Sequence, residues 1–482
     1  MKHTICLLLF SCFCFIQASA SSKVKYPNGR HFIYRLTLRD KLESPYKLDH
    51  PTRWLSHRSI ERRRRQGLSL DSTDLPVSPQ YLKQLRAQKG MSVIGKSRWN
   101  NTVLMLSQDS VALNRLSDLP FVRQAECVWI SPDSIEKSFS QRPIHQEFNT
   151  WDSIKNSRYA NGSQQIEMLQ GHRLHGLNLR GKGLIIAILD GGFQNTDRIP
   201  SLTRAHIIGV KDFVYPVDNR RQTITYNRER LFYETDHGTK VLSIMATNEP
   251  EVLTGTAPES QYWLLRCEDQ QSEQPVEEDY WAMAAEFADS VGVDIINSSL
   301  GYNNYDTPMK GISLNELDGR STLISRTASM LAGKGIILVN SAGNTGMGPW
   351  KKICVPADAH EILTVGAINE DGQNAPFSAV GPTQDGRIKP DVTALGAPAA
   401  LLTGSGALSH DMGTSFSTPV VCGLVACLWQ ALPQKSALDI IDLVRMTADN
   451  AKTPNNIYGY GRPNFWRAYM IGVLEEKEKE KE

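Results

Sequence analysis

The sequence predicts an α/β chain: a doubly wound, mostly parallel sheet with helices on both faces, preceded by a small α+β unit. Three observations carry this. Residues 184–189 form an unbroken apolar run, as a strand buried on both faces requires. Similar short runs recur at 262–265, 294–298, 335–339 and 362–367, with helical stretches such as 277–290 and 322–331 between several of them. Ahead of this pattern, about 110 residues alternate short strands and helices on a smaller scale.

With 482 residues the chain has room for two or three domains and a large core. A net charge of +2 with 22% charged residues points to neither a nucleic-acid nor a membrane-surface partner. At the start, Lys2 and His3 precede an apolar stretch, 5–16, and the small-residue signal Ala18-Ser19-Ala20. Residues 1–20 therefore read as a secretory signal peptide cut after Ala20. Ser11-Cys12 raises a lipoprotein alternative, against which the sequence beyond Cys12 stays apolar. No later run is expected to approach the ~18 apolar residues of a membrane helix, so no transmembrane segment is expected. Beyond the signal, Cys127, Cys267, Cys354, Cys422 and Cys427 remain, an odd number with neither disulfide-framework nor zinc spacing.

Residues 31–38 read as a strand and 55–66 as a charged helix. A second helix around Tyr81, Leu82 and Leu85 closes at Gly90. Then follow strands at 91–94 and 102–106, a helix at 110–116 and a strand at 121–129, together a ferredoxin-like α+β domain over 21–130. The tract Glu61-Arg62-Arg63-Arg64-Arg65 reads as a solvated helix face, with a processing site for an arginine-cutting protease as the next account. Residues 131–159 lack a clear period and read as a linker, 160–474 hold the larger domain, and 475–482 form a charged, solvated tail.

Several polar residues stand at the edges of this pattern. Asp190 closes the 184–189 strand, at the carboxyl end where sheets of this class carry their sites. Alone it could be a helix cap or a metal ligand. His237 opens an apolar helix, and Asn344 ends the run Ser341-Ala342-Gly343-Asn344; alone these read as a capping histidine and a turn asparagine. Ser415 lies between Gly413 and the apolar segment 420–432, with Pro419 in the first turn, where a serine is ordinarily an N-cap. Together the order Asp, His, Ser is one of the known chain orders of a serine-peptidase triad.

At this point the chain resembles the subtilisin-like (S8) serine peptidase family. Ile188-Leu189-Asp190-Gly191-Gly192, His237-Gly238-Thr239, Ser341-Ala342-Gly343-Asn344 and Gly413-Thr414-Ser415 with Pro419 look like its aspartate, histidine, oxyanion-asparagine and serine motifs. Gly255-Thr256-Ala257-Pro258 and Ile296-Asn297-Ser298-Ser299-Leu300-Gly301 also look like family segments. The resemblance covers about 160–470 and implies a subtilisin-like fold. It implies a nucleophile Ser415, a base His237 oriented by Asp190, and an oxyanion hole from the Asn344 amide and the Ser415 N–H. It further implies that Ser298, Ser299, Leu300 and Gly301 pair with an extended polypeptide substrate, and that Ser341, Ala342 and Gly343 wall the adjoining pocket, with Cys354 near its floor. The sequon at Asn297 reads as accidental on such a strand.

One residue departs from the motif: Gly191 stands where the family usually has Ser or Thr, so a supporting hydroxyl is lost. The α+β domain takes the place of a propeptide that would assist folding, inhibit the enzyme and be removed by self-processing in the linker. The chain is then a secreted endopeptidase, periplasmic or extracellular. No cofactor is required for its chemistry, no metal ligands are assigned, and structural calcium is not readable from loop spacing. Two other readings compete: a catalytically inactive peptide-binding protein on the same fold, and an α/β-hydrolase esterase. The esterase would need G-x-S-x-G and the order Ser, Asp, His, which Ser415 does not meet.

Overall fold

A computed structural model describes residues 23–42, 44–136, 143–146, 148, 152–154, 157–215 and 228–479. The signal-peptide reading of 1–20 lies outside them, as do parts of the linker.

The N-terminal unit begins with β1 (Lys23–Lys25), β2 (Phe32–Leu38), α1 (His57–Arg65), α2 (Pro79–Arg86), β3 (Met91–Ser97) and β4 (Thr102–Ser107). It continues with α3 (Ser110–Asn114), β5 (Val122–Ile130) and β6 (Ser134–Glu136). Four of these strands form an antiparallel sheet in the order β3-β4-β2-β5, while β1 and β6 pair separately and tie the two ends of the unit together. Alternation sorts the side chains of β2 and β4: Leu36, Leu38, Val103 and Met105 face the unit's own helices, and Ile33, Leu104 and Leu106 face the larger body.

That body opens with α4 (Ser163–Glu167), α5 (Gly171–Gly176), β7 (Ile185–Asp190), α6 (Pro200–Thr203), β8 (His206–Asp212) and α7 (His237–Ala246). Next come β9 (Asn248–Glu249), β10 (Leu253–Thr254), β11 (Gln261–Arg266), α8 (Val276–Val291), β12 (Ile295–Ser298), α9 (Leu323–Ala328), β13 (Ile337–Ser341) and β14 (Leu363–Ile368). It closes with β15 (Val392–Leu395), β16 (Ala399–Leu402), β17 (Leu408–Asp411), α10 (Thr414–Ala431), α11 (Ala437–Met446) and α12 (Phe465–Lys479). Seven strands make one parallel sheet in the order β15-β14-β13-β12-β7-β11-β8. Alternate residues of β7 feed two cores. Ile186 and Ile188 pack with α7 and α10, while Ile185, Ala187 and Leu189 pack with α8 and α9.

The predicted doubly wound sheet with helices on both faces is therefore present, and the interior strand β7, between β12 and β11, carries Asp190 at its carboxyl end. Three expectations need correction. The Glu61–Arg65 tract is only partly a solvated face: Glu61, Arg64 and Arg65 are exposed, but Arg62 and Arg63 are each 2% exposed and both pair with Asp289 on α8. A single sequence does not show that a partner helix lies opposite. The tail is not free beyond 474, since α12 runs through Lys479 and Glu475 pairs with Lys435. An apolar run of membrane length does exist later in the chain: Thr414–Ala431 has 18 residues and a mean hydropathy of 1.2, but 89% of it is buried as the central core helix. The four buried cysteines and the half-buried Cys127 are free thiols.

The two units share a buried, charged seam along α8. Asp289 receives Arg62 at 2.5 Å, Arg63 at 2.8 Å and Arg98 at 2.5 Å. Arg35 meets Asp279 at 2.6 Å, Arg58 meets Asp294 at 2.5 Å, and Lys334 reaches back to Asp74 at 2.9 Å. Glu286 accepts from the Ser97 hydroxyl and from the Arg98 and Trp99 N–H groups.

Candidate active site

Parallel strands deliver their last residues to one edge of the sheet, and here four of them converge. β7 ends in Asp190, which is fully buried; its Oδ1 accepts from the Gly191 N–H at 2.8 Å. α7 begins at His237, whose Nδ1 lies 2.9 Å and 3.0 Å from the two Asp190 carboxylate oxygens, with the ring 31% exposed. Burial works against the charged imidazole, but the charge and hydrogen bond of Asp190 outweigh it, helped by Glu268, and raise its pKa to about 9. Ser415 stands in the first turn of α10, where backbone N–H groups have no acceptor inside the helix. Its hydroxyl donates to the Ser299 carbonyl at 3.2 Å, while the Ser299 hydroxyl donates to the Ser415 carbonyl at 2.9 Å. No Ser415–His237 hydrogen bond is found among the described residues; both side chains line the same cleft.

Asn344 follows β13. Its Oδ1 accepts from the Thr414 N–H at 2.9 Å and the Thr414 hydroxyl at 3.0 Å. With the oxygen fixed, the amide's donor end is left for the cleft beside Ser415. Gly343 is held at φ +106°, and a Cβ there would stand 2.8 Å from the Cys354 Sγ, so the wall needs glycine. Cys354 also lies against Gly301 and joins the lining, between the two walls.

The cleft has a volume of about 760 Å³. Of the residues singled out from sequence, His237, Ser299, Leu300, Gly301, Ser341, Gly343, Asn344 and Ser415 line it. Two do not. The Ser298 hydroxyl accepts from the Trp281 indole N–H on the far side of the sheet, and Ala342 is buried in the core behind the wall. The Asn297 side chain is fully buried, which leaves no room for a glycan.

Sequence reasoning missed the acidic half of the lining: Glu268, Asp269, Glu273 and Asp306. The pair Glu268-Asp269 directly after a buried strand was a usable signal, because sites in such sheets sit at strand carboxyl ends. The hydroxyl expected beside Asp190 is replaced by the Gly191 N–H, and the space above Gly191 is taken. A Cβ there would lie 2.4 Å from Glu268 Oε2 and 2.6 Å from Gln270 Nε2. Beneath, Arg266 donates to the Gly191 carbonyl at 3.0 Å and pairs with Asp212 and Glu234, so buried charges brace this loop.

Residues 181–461 match the model of the subtilase family, peptidase S8, and residues 33–145 match that of the peptidase S8 propeptide domain of Bacteroidota. Subtilisin-like protease SBT6.1 of Arabidopsis thaliana is 26% identical over 356 residues, 70% of this chain but 30% of the plant protein. Subtilisin NAT of Bacillus subtilis subsp. natto is 26% identical over 300 residues, 62% of this chain and 68% of that protein. Serine protease AprX of Bacillus subtilis (strain 168) is 25% identical over 320 residues, covering 60% and 67%. A solved structure of a mutant protease domain of PatA aligns with a TM-score of 0.48 at 22% identity, over 62% of this chain and 98% of that one.

Proposed function

The chain belongs to the subtilase family, and from that premise we propose that it is a secreted serine endopeptidase made as a self-processing precursor. The observation that carries the reading is the buried Asp190 bonded to His237 Nδ1 at the mouth of a cleft that also holds Ser415 and Asn344.

In this mechanism the Ser415 hydroxyl turns from the Ser299 carbonyl to His237 Nε2 and gives up its proton as Oγ attacks the substrate carbonyl carbon. Asp190 fixes the tautomer and stabilises the imidazolium. The oxyanion accepts from the Asn344 amide and the Ser415 N–H at the positive end of α10. His237 returns the proton to the leaving amine as the C–N bond breaks, and water repeats the sequence to release the acyl group. The Ser299–Gly301 edge takes the substrate as an added strand. The signal at 1–20 exports the precursor, and cleavage within 131–159 frees the N-terminal unit, which until then acts as an intramolecular inhibitor. The Ser415–Ser299 hydrogen bond favours a second reading, an inactive peptide-binding protein.

Intact mass and N-terminal sequencing of the purified chain, wild type beside Ser415→Ala, separates the two. Loss of about 110 to 140 residues by wild type alone, with fluorophosphonate labelling of Ser415, supports the peptidase. An uncut, unlabelled wild type refutes it and leaves the binding protein.

A further inference from the structure

The acidic half of the cleft has no counterpart in the mechanism above. Its lining contains Glu268, Asp269, Glu273 and Asp306 and no lysine or arginine. Two of these carboxylates are occupied: Asp269 accepts from the Gln271 N–H and the Ser272 hydroxyl, and Asp306 accepts from the Glu273 N–H at 2.9 Å. Glu268 and Glu273 are in no ion pair among the described residues, and the one hydrogen bond to Glu268 comes from Gln270 Nε2 at 3.2 Å. The arginine nearest Glu268, Arg266, is already engaged by Asp212 and Glu234.

Burial, the neighbouring Asp190 and, for Glu273, the facing Glu268 and Asp306 all raise these two carboxyl groups above the ordinary range. Under the same rim lies the Tyr302 hydroxyl, in a residue 1% exposed and without a hydrogen-bond partner among the described residues. Burial first, then the charges of Glu277 and Glu268, hold its pKa high. Carboxyl groups gathered in a half-enclosed cleft resist ionising together. A ligand that brings its own cation relieves that resistance.

We infer that the cleft selects polypeptides carrying lysine or arginine beside the scissile bond, with Glu268 and Glu273 as the residues that determine the preference. This rests on the peptidase reading and adds its substrate class. Position supports it. The Glu268 carboxylate lies against Gly191, one residue from Asp190 and next to His237, and only a glycine at 191 leaves it that room. Glu273 and Asp306 line the same cleft as Leu300 and Gly301. A lysine ammonium or an arginine fork on a strand paired to Ser299–Gly301 would enter between them. No three of these side chains converge as a metal-holding group among the described residues. The chain's own sequence offers a matching substrate: β6 ends at Glu136, and the next six residues, Lys-Ser-Phe-Ser-Gln-Arg, begin and end with a cation.

The test uses the full chain after processing and quenched peptides identical except for Lys, Arg, Gln or norleucine at the two positions before the scissile bond. Values of kcat/KM are taken per fluorophosphonate-labelled site, at low salt and at about 1 M NaCl. The expected result is a preference for Lys or Arg over Gln of about tenfold at low salt, falling at high salt. Glu268→Gln and Glu273→Gln should each reduce that ratio towards one. Gly191→Ala, which keeps every charge but displaces the Glu268 carboxylate, should reduce it as well. A labelled wild type that cleaves the Gln or norleucine peptide as well as the Lys peptide overturns the inference. So does a preference that survives in both glutamine variants. A wild type that takes no label refutes the peptidase reading itself, and the inference with it.

Discussion

The seam along α8 offers the sharpest quantitative test. Asp289 is fully buried and receives three arginines from the N-terminal unit, so Asp289→Asn keeps the shape and removes the one charge that holds them. Removing one partner of a buried, hydrogen-bonded ion pair costs about 3–5 kcal/mol, because the others are left desolvated and unpaired. Arg63 keeps Asp74 at 3.1 Å, which argues for the lower end. At about 1.4 kcal/mol per tenfold, the two units should separate some 150- to 5000-fold more readily.

The assay does not need self-processing. In a Ser415→Ala background, a site for an unrelated specific protease is placed within 149–156, the chain is cut, and dissociation of the two pieces is followed by biolayer interferometry. A change of less than about tenfold, with both pieces folded by circular dichroism, would refute the reasoning and assign the association to apolar contacts such as Trp99 and Leu104 against α8. The acid dependence has a definite sign. Burial opposes ionisation of Asp289, but Arg63, Arg62 and Arg98 overcome it and lower its pKa to about 2. A carboxylate depressed in the complex contributes fully above its ordinary pKa and loses that contribution only as pH falls through about 2. Between pH 7 and 5 the Asp289 contribution to the dissociation constant should therefore stay constant, whereas salt, which screens the encounter, should slow reassociation.

Three further outcomes are expected. Asn344→Ala should lower kcat by about 10²–10³, the loss known for an oxyanion-hole asparagine in a subtilisin; an unchanged kcat would remove Asn344 from the chemistry. Because His237 must be neutral to act as a base and its pKa is raised to about 9, kcat/KM should climb through neutral pH towards that value; Glu268→Gln removes a charge that raises it, so the acid limb should move to lower pH. Arg266→Met should leave Asp212 buried without its cation and Glu234 with Arg230 alone, and destabilise the body by about 3–5 kcal/mol, read as a lower Tm; an unchanged Tm would show that the Gly191 loop does not depend on this brace.

Much of this was legible in the sequence because the signals were local. The 184–189 run has nowhere to go but a strand buried on both faces, and the side chains of β7 do split between two cores. Asp190, His237, Asn344 and Ser415 each sit beside a glycine or at the edge of an apolar run, where backbone pattern alone marks an element's end. What could not be read depends on partners far away in the chain. Arg62 and Arg63 look solvated until Asp289, more than 200 residues on, is known to face them. Ser298 lies in the right segment, but strand alternation turns its hydroxyl to Trp281 while its neighbour Ser299 faces the cleft. Gly191 looked like a loss until the Glu268 carboxylate was found in the space a side chain would have filled.

The α8 seam also decides which inhibitors this enzyme can accept. On the proposed processing, departure of the N-terminal unit would leave Asp279, Glu286 and Asp289 without the donors that satisfy them and Asp294 with the Ile185 N–H alone. A propeptide borrowed from another member of the family, with apolar or acidic residues at the positions of Arg35, Arg58, Arg62, Arg63 and Arg98, would have to dehydrate those four carboxylates and return nothing to them. On that reading a change of charge on either side of the seam should be tolerated only with a matching change on the other.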